Sequence, residues 1–90
     1  MSANQDYLDE LSGSIGKVET SDGFSEFLTY GIALLNAIKL GEILYRGKIL
    51  SEQREKIEDH TCSIYTAQDK DGVVQAARNL HDYFALLDAM

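Results

Sequence analysis

The chain has 90 residues, of which 44% are hydrophobic and 26% charged, a composition typical of a folded protein and too apolar for a disordered one. Eight Lys and Arg stand against fifteen Asp and Glu, which gives a formal net charge of −7. Because nucleic acids and anionic membranes are bound by basic surfaces, this charge balance argues against both as direct partners, whereas a basic partner protein is compatible with it.

The first predicted helix covers residues 4–12 or extends to residue 18. Its apolar residues lie three and four positions apart, which places them on one helical face; they are Leu8, Leu11, Ile15 and Val18. Gly13 and Gly16 weaken the second half of this segment, since each glycine costs roughly 1 kcal/mol relative to alanine in a helix.

The second predicted helix is long and covers residues 23–46. Ser21 or Asp22 is expected to cap its start, and Gly47 is expected to take the left-handed conformation after its end. One flank of this helix is formed by Phe24, Phe27, Leu28, Leu34, Leu35 and Ile38, and another by Tyr30, Ala33, Ala37, Leu40 and Leu44.

Two further helices are predicted over residues 52–65 and 72–88. Ser51 is the expected N-cap of the third helix, and Asp69 or Asp71 that of the fourth. The third helix has a thin apolar face, whereas the fourth has a full apolar stripe. No segment alternates with period two, and the chain lacks proline. The sequence therefore predicts an all-α fold, a single domain over residues 1–90 that forms a small antiparallel bundle of three to four helices around a long central helix.

The central helix is too apolar for the chain that contains it. Within residues 27–45 only Thr29, Asn36, Lys39 and Glu42 are clearly polar. The last three argue against a membrane span, because a charge in the middle of a bilayer costs about 2.5–3.5 kcal/mol. A helix that is apolar on all sides has to be buried on all sides, and the other helices offer too little surface. We therefore expect a homodimer.

The expected dimer interface follows the small residues of the central helix, which let another helix approach closely. It consists of Tyr30, Ala33, Ala37, Gly41 and Tyr45. The alternative is that this series receives another helix of the same chain. Lys39 and Glu42 interrupt the apolar surface three residues apart and are candidates for a charge pair that fixes the register of the interface.

No pattern in the chain indicates a metal, a cofactor or a catalytic residue. His60 and Cys62 point away from each other on a helix, and His81 is the only other histidine, which is too few ligands for zinc. Cys62 is expected to be a small buried residue. A lone cysteine and an N-terminus without a signal-peptide pattern favour the cytoplasm.

The sequence thus favours a non-enzymatic protein-interaction module, such as an adaptor, inhibitor, immunity-type protein or chaperone. It would form a homodimer and bind a partner protein, for which the acidic faces of the first and third helices are candidates. One alternative is a ligand-binding or catalytic helical protein with a cavity near Tyr30, Tyr83, His81 and Cys62. Another is an acidic mimic of nucleic acid, which requires the carboxylates of residues 1–22 and of residues 51–72 to form one continuous face.

Overall fold

The computed structural model describes residues 4–47 and 49–89, and they form four α-helices. The helices are α1 (Asn4–Glu19), α2 (Gly23–Arg46), α3 (Ser51–Thr66) and α4 (Lys70–Ala89). No strand occurs in these two ranges. The predicted all-α bundle with a long helix is confirmed, and α2 has the bounds that the sequence predicts.

Helix α1 runs through both of its central glycines and takes the longer of the two predicted extents. Leu11, Ile15 and Val18 lie on its buried face and are at most 1% exposed. Full burial of an aliphatic side chain contributes about 1.5–3 kcal/mol, which outweighs the cost of roughly 1 kcal/mol for each helical glycine. Tertiary packing therefore overrides the weak local propensity of this segment.

The helix ends differ in part from the predictions. Asp69 caps α4 as expected, because its Oδ1 accepts a hydrogen bond from the backbone N–H of Gly72 at 2.7 Å. Asp22 precedes α2, but its side chain makes no capping hydrogen bond. Two predictions are wrong: Gly47 has a right-handed conformation with φ −81°, and Ser51 is the first residue of α3 rather than its cap.

Short connections place successive helices antiparallel, and three of the four seams between neighbours are well packed. Helix α1 packs against both α2 and α4, and α3 packs against α4, whereas α2 and α3 touch at few residues. Phe84 of α4 lies at the centre of the core between two tyrosines. Its ring stacks on Tyr45 at 4.8 Å and meets the ring of Tyr7 edge-on at 6.2 Å. The bundle is therefore closed around α1 and α4 and open between α2 and α3.

Candidate interaction surfaces on α2

Helix α2 is covered on one side only. Leu34, Ile38 and Tyr45 are at most 2% exposed and form its inner face. The large apolar residues of its outer side are Phe24 at 74% exposure, Leu28 at 46%, Ile32 at 60%, Leu40 at 48%, Ile43 at 62% and Leu44 at 38%. Large apolar side chains that stay exposed together on one helix often mark an interaction surface. The expectation that one chain cannot cover this helix is confirmed for the residues that the structure describes.

By length and composition alone, Gly23–Tyr45 could also cross a membrane. One such helix is weak evidence for a membrane span, because the core helices of soluble proteins and signal sequences meet the same criteria; in this helix 17% of the apolar window is buried. Lys39 lies within this segment and is exposed.

The structure divides the predicted dimer interface between the core and the surface. Gly41 and Tyr45 are buried within one chain. A Cβ atom on Gly41 would overlap the phenol of Tyr7 and lie 2.9 Å from the ring of Phe84. The hydroxyl of Tyr7 also donates a hydrogen bond to the backbone carbonyl of Ala37 at 2.6 Å. Around Gly41, α2 thus receives helices of its own chain, and the assignment of Gly41 and Tyr45 to a dimer interface is corrected.

Helical geometry explains this correction. Each residue advances about 100° around an α-helix, so a step of four residues overshoots a full turn by about 40°. Over the three steps from Ala33 to Tyr45 the side chains rotate by about 120°. The series therefore begins on the surface and ends in the core.

The accessible part of this flank has a different spacing. Ala33, Ala37, Leu40 and Leu44 are separated by four, three and four residues, which keeps them within about 60° of one another around the helix. Ala33, Leu40 and Leu44 are exposed and Ala37 is partly buried. We call these four residues the α2 stripe. Tyr30 is partly buried at its edge. Leu40 and Leu44 were assigned to this flank by sequence but not to the interface, although the heptad-like spacing was the signal for them.

Lys39 and Glu42 do not form a pair. Lys39 is exposed, and Oε1 of Glu42 accepts a hydrogen bond from the hydroxyl of Thr61 at 3.1 Å. An ion pair is present elsewhere, between Arg78 and Glu19 at 2.8 Å. Glu42 therefore connects α2 to α3 within the chain, and a register role for the two charges has no support in this contact.

The two core tyrosines differ in their hydrogen bonding. The hydroxyl of Tyr7 has an acceptor on α2, whereas that of Tyr45 is buried with no hydrogen-bond partner among the described residues. Burial, together with the negative charge of Asp88, raises the pKa of Tyr45 to about 12. Burial is also the main reason why the pKa of Tyr7 is raised well above its ordinary value. Both phenols are therefore held in the neutral form.

The residues proposed for a ligand cavity do not converge. Tyr83 lies beside α3, where its ring centroid is 5.6 Å from that of His60. His81 lies beside α1, with its Nε2 atom 3.2 Å from the backbone carbonyl of Leu8. Cys62 is exposed on α3, so the expectation that it is buried is wrong. Tyr30 belongs to the separate flank of α2 described above.

The acidic faces of α1 and α3 are likewise apart. These two helices share no contact among the described residues and occupy diagonal positions, with α2 and α4 between them. A nucleic-acid mimic needs one continuous acidic face, so this arrangement argues against that alternative.

Comparisons with protein-family models, with curated proteins and with solved structures find no match to this chain.

Proposed function

We propose that the protein is a non-enzymatic interaction module that self-associates through the α2 stripe. The observation that carries the proposal is the exposure of Leu40 and Leu44, at 48% and 38%, beside the small side chains of Ala33 and Ala37. The stripe contains no charged residue, and nothing within the described chain covers it.

The order of small and large residues favours an antiparallel pair of α2 helices. If the two-fold axis passes between Ala37 and Leu40, then Ala33 faces Leu44 of the second copy and Ala37 faces its Leu40. Every leucine then meets an alanine, which allows a close helix–helix approach without a void. An isologous contact of this kind closes on itself and stops at a dimer.

The magnitude of the contact indicates a weak dimer. Burying the exposed halves of two leucines in each copy contributes on the order of 4 kcal/mol in total. A dissociation constant of 1 mM corresponds to about 4 kcal/mol, so the stripe alone supports a dimer in the millimolar range unless residues at its edge add to it. The association therefore has to be measured at chain concentrations up to about 1 mM.

Sedimentation equilibrium of the wild-type chain, Leu40→Glu and Ile32→Glu tests the proposal. We expect the wild type to shift from the mass of one chain, 10.0 kDa, toward twice that mass with increasing concentration. Leu40→Glu should stay monomeric because it places a charge in the stripe.

Ile32→Glu is the matched control. Ile32 is 60% exposed but lies about 80° away from Leu40 around α2, so the control should dimerise like the wild type. Circular dichroism establishes that each variant is folded. A wild type that remains monomeric throughout, or a Leu40→Glu variant that still dimerises, contradicts the proposal.

A further inference from the structure

The open seam between α2 and α3 contains an apolar groove. An apolar pocket of ≈ 210 Å³ lies between the two helices. The residues that matter for its shape are Phe27, Leu28, Gly31, Ile32, Leu35 and Tyr65. Toward the start of α2 it meets a pocket of ≈ 480 Å³, with which it shares Phe27 and Val73. We call the two pockets together the α2–α3 groove.

The walls of this groove carry large apolar side chains that the chain itself leaves uncovered. Phe24 is 74% exposed, Ile32 60% and Tyr65 59%. At Gly31 an added Cβ atom would meet nothing within 4 Å, so a ligand backbone can approach α2 closely there. From Phe24 to Leu35 the groove spans twelve residues of α2, about 17 Å, which is three turns of a helix.

This shape fits a short amphipathic helix. A helix of three turns presents apolar anchors at positions i, i+4 and i+7, which is the pattern of helices that bind in hydrophobic grooves. In a complete four-helix bundle, packing between α2 and α3 would fill this space. An added helix would supply the apolar contacts that α3 does not make with α2.

The charged residues around the groove are unevenly distributed, which favours a partner with the opposite charge at one end. At the start of α2 the wall of the groove contains Asp69 and Lys70, and the exposed residues Asp22 and Asp71 directly adjoin wall residues in the chain. The ammonium of Lys70 donates a hydrogen bond to a backbone carbonyl at 3.2 Å, which holds it within the chain. This end of the groove is therefore acidic. Lys39 and Glu42, farther along α2, offset each other, so the negative potential is confined to one end.

We infer that the α2–α3 groove binds an amphipathic helix of a partner protein that has three apolar anchors and a cluster of Lys or Arg at the end next to Phe24. This inference rests on the proposed role as an interaction module, but it uses a face of α2 separate from the stripe. Anionic lipid is disfavoured by the aspartates.

The probe is a synthetic 16-residue peptide with leucines at i, i+4 and i+7 and four lysines at one end. A control peptide has the same leucines and four glutamates in place of the lysines. Titration of the ¹⁵N-labelled full chain with each peptide gives both the affinity and the location of binding. We expect the lysine peptide to bind at least tenfold more tightly, to weaken with added salt, and to shift the amides of Gly31 and Tyr65 more than those of Ala33 and Leu40.

Gly31→Leu is the decisive variant, because its side chain enters open space and replaces a helical glycine. The variant should keep or raise the melting temperature and lower the affinity for the lysine peptide at least tenfold. The double variant Asp22→Asn, Asp71→Asn removes two negative charges and should lower the affinity for the lysine peptide several-fold. Leu40→Glu, the stripe variant, should bind the peptide like the wild type, so failure of the groove and failure of the proposed dimer give separate results.

Four outcomes overturn the inference. They are equal binding of both peptides, unchanged binding by a folded Gly31→Leu, amide shifts centred on the α2 stripe, and occupation of the groove by something else. If a second copy occupies the groove, the Gly31→Leu variant should fail to dimerise at concentrations at which the wild type dimerises. If a membrane occupies the groove, the wild type should bind phosphatidylglycerol vesicles and Gly31→Leu should not.

Discussion

Removing a hydroxyl group from Tyr7 and from Tyr45 should change stability in opposite directions. The two side chains are both buried and both contact the ring of Phe84. Tyr7 donates a 2.6 Å hydrogen bond to the carbonyl of Ala37, whereas the hydroxyl of Tyr45 is buried without a partner. The same substitution to phenylalanine therefore removes a satisfied group at one position and an unsatisfied group at the other.

The expected magnitudes follow from hydrogen-bond energetics. A net intramolecular hydrogen bond contributes about 0.5–1.5 kcal/mol, so Tyr7→Phe should lower the free energy of unfolding by about 1 kcal/mol. A buried polar group without a partner costs about 1–3 kcal/mol. Tyr45→Phe relieves that cost and keeps the stacked ring, so the free energy of unfolding should rise by up to about 1 kcal/mol, the lower end of that range.

Urea denaturation at pH 7 and one fixed protein concentration measures the difference. The slope with urea should be the same for the wild type and both variants, since each variant exposes nearly the same surface on unfolding. The urea concentration at the transition midpoint should then be lowest for Tyr7→Phe, intermediate for the wild type and highest for Tyr45→Phe. Equal losses in the two variants would show that the hydroxyl of Tyr45 is as well satisfied as that of Tyr7, and the reasoning would be wrong.

Three further predictions concern pH, glycine and cysteine. Because the folded chain keeps the proton of Tyr45 up to a pKa of about 12, whereas an unfolded tyrosine loses it near pH 10, the unfolded state binds fewer protons above pH 10. The contribution of Tyr45 to the free energy of unfolding is then complete below pH 10 and falls by about 2–3 kcal/mol up to pH 12, and Tyr7, whose pKa is also raised, adds a loss of the same sign. Urea midpoints at pH 8, 10, 11 and 12 should show the combined loss, and Tyr45→Phe should reduce the slope. Gly41→Ala should lower the free energy of unfolding by about 1–3 kcal/mol, since its Cβ would overlap Tyr7, while Gly31→Ala should raise it by up to about 1 kcal/mol; thermal unfolding distinguishes the two. Cys62 is exposed and should react with a thiol reagent in the folded protein as fast as in urea, and slow native reaction would contradict that exposure.

The helices could be predicted from the sequence because their apolar spacing is strong. The bounds of α2 follow from an apolar run between two turn segments, and the stripe of α4 marks its length. The extent of α1 past Gly13 could not be settled locally. Glycine propensity favours an early end, and only the packing of Ile15 and Val18 against the rest of the bundle overrides it.

The surface could be predicted only in part, because sequence spacing does not tell which side of an apolar helix meets its own chain. The excess of apolar surface on α2 was visible in the sequence. The side of α2 that faces its own chain was not visible in the sequence, because Ala37 and Gly41 are small enough to let either a second copy or Tyr7 approach closely. The contact between Tyr7 and Gly41 joins residues that are 34 positions apart in the chain, and no local sequence pattern predicts it.

The open seam has its origin in the composition of α3. Ile57 and Ile64 are its buried apolar residues, and they serve the contact with the rest of the core. On the side toward α2, Arg54 and Glu58 line a small pocket together with Glu42. Long charged side chains keep their ends in water, so they hold α3 away from α2 where apolar residues would draw the helices together. The open seam between α2 and α3 is therefore encoded on α3 as much as on α2, and Glu58→Leu should help to close this end of the seam and raise the free energy of unfolding.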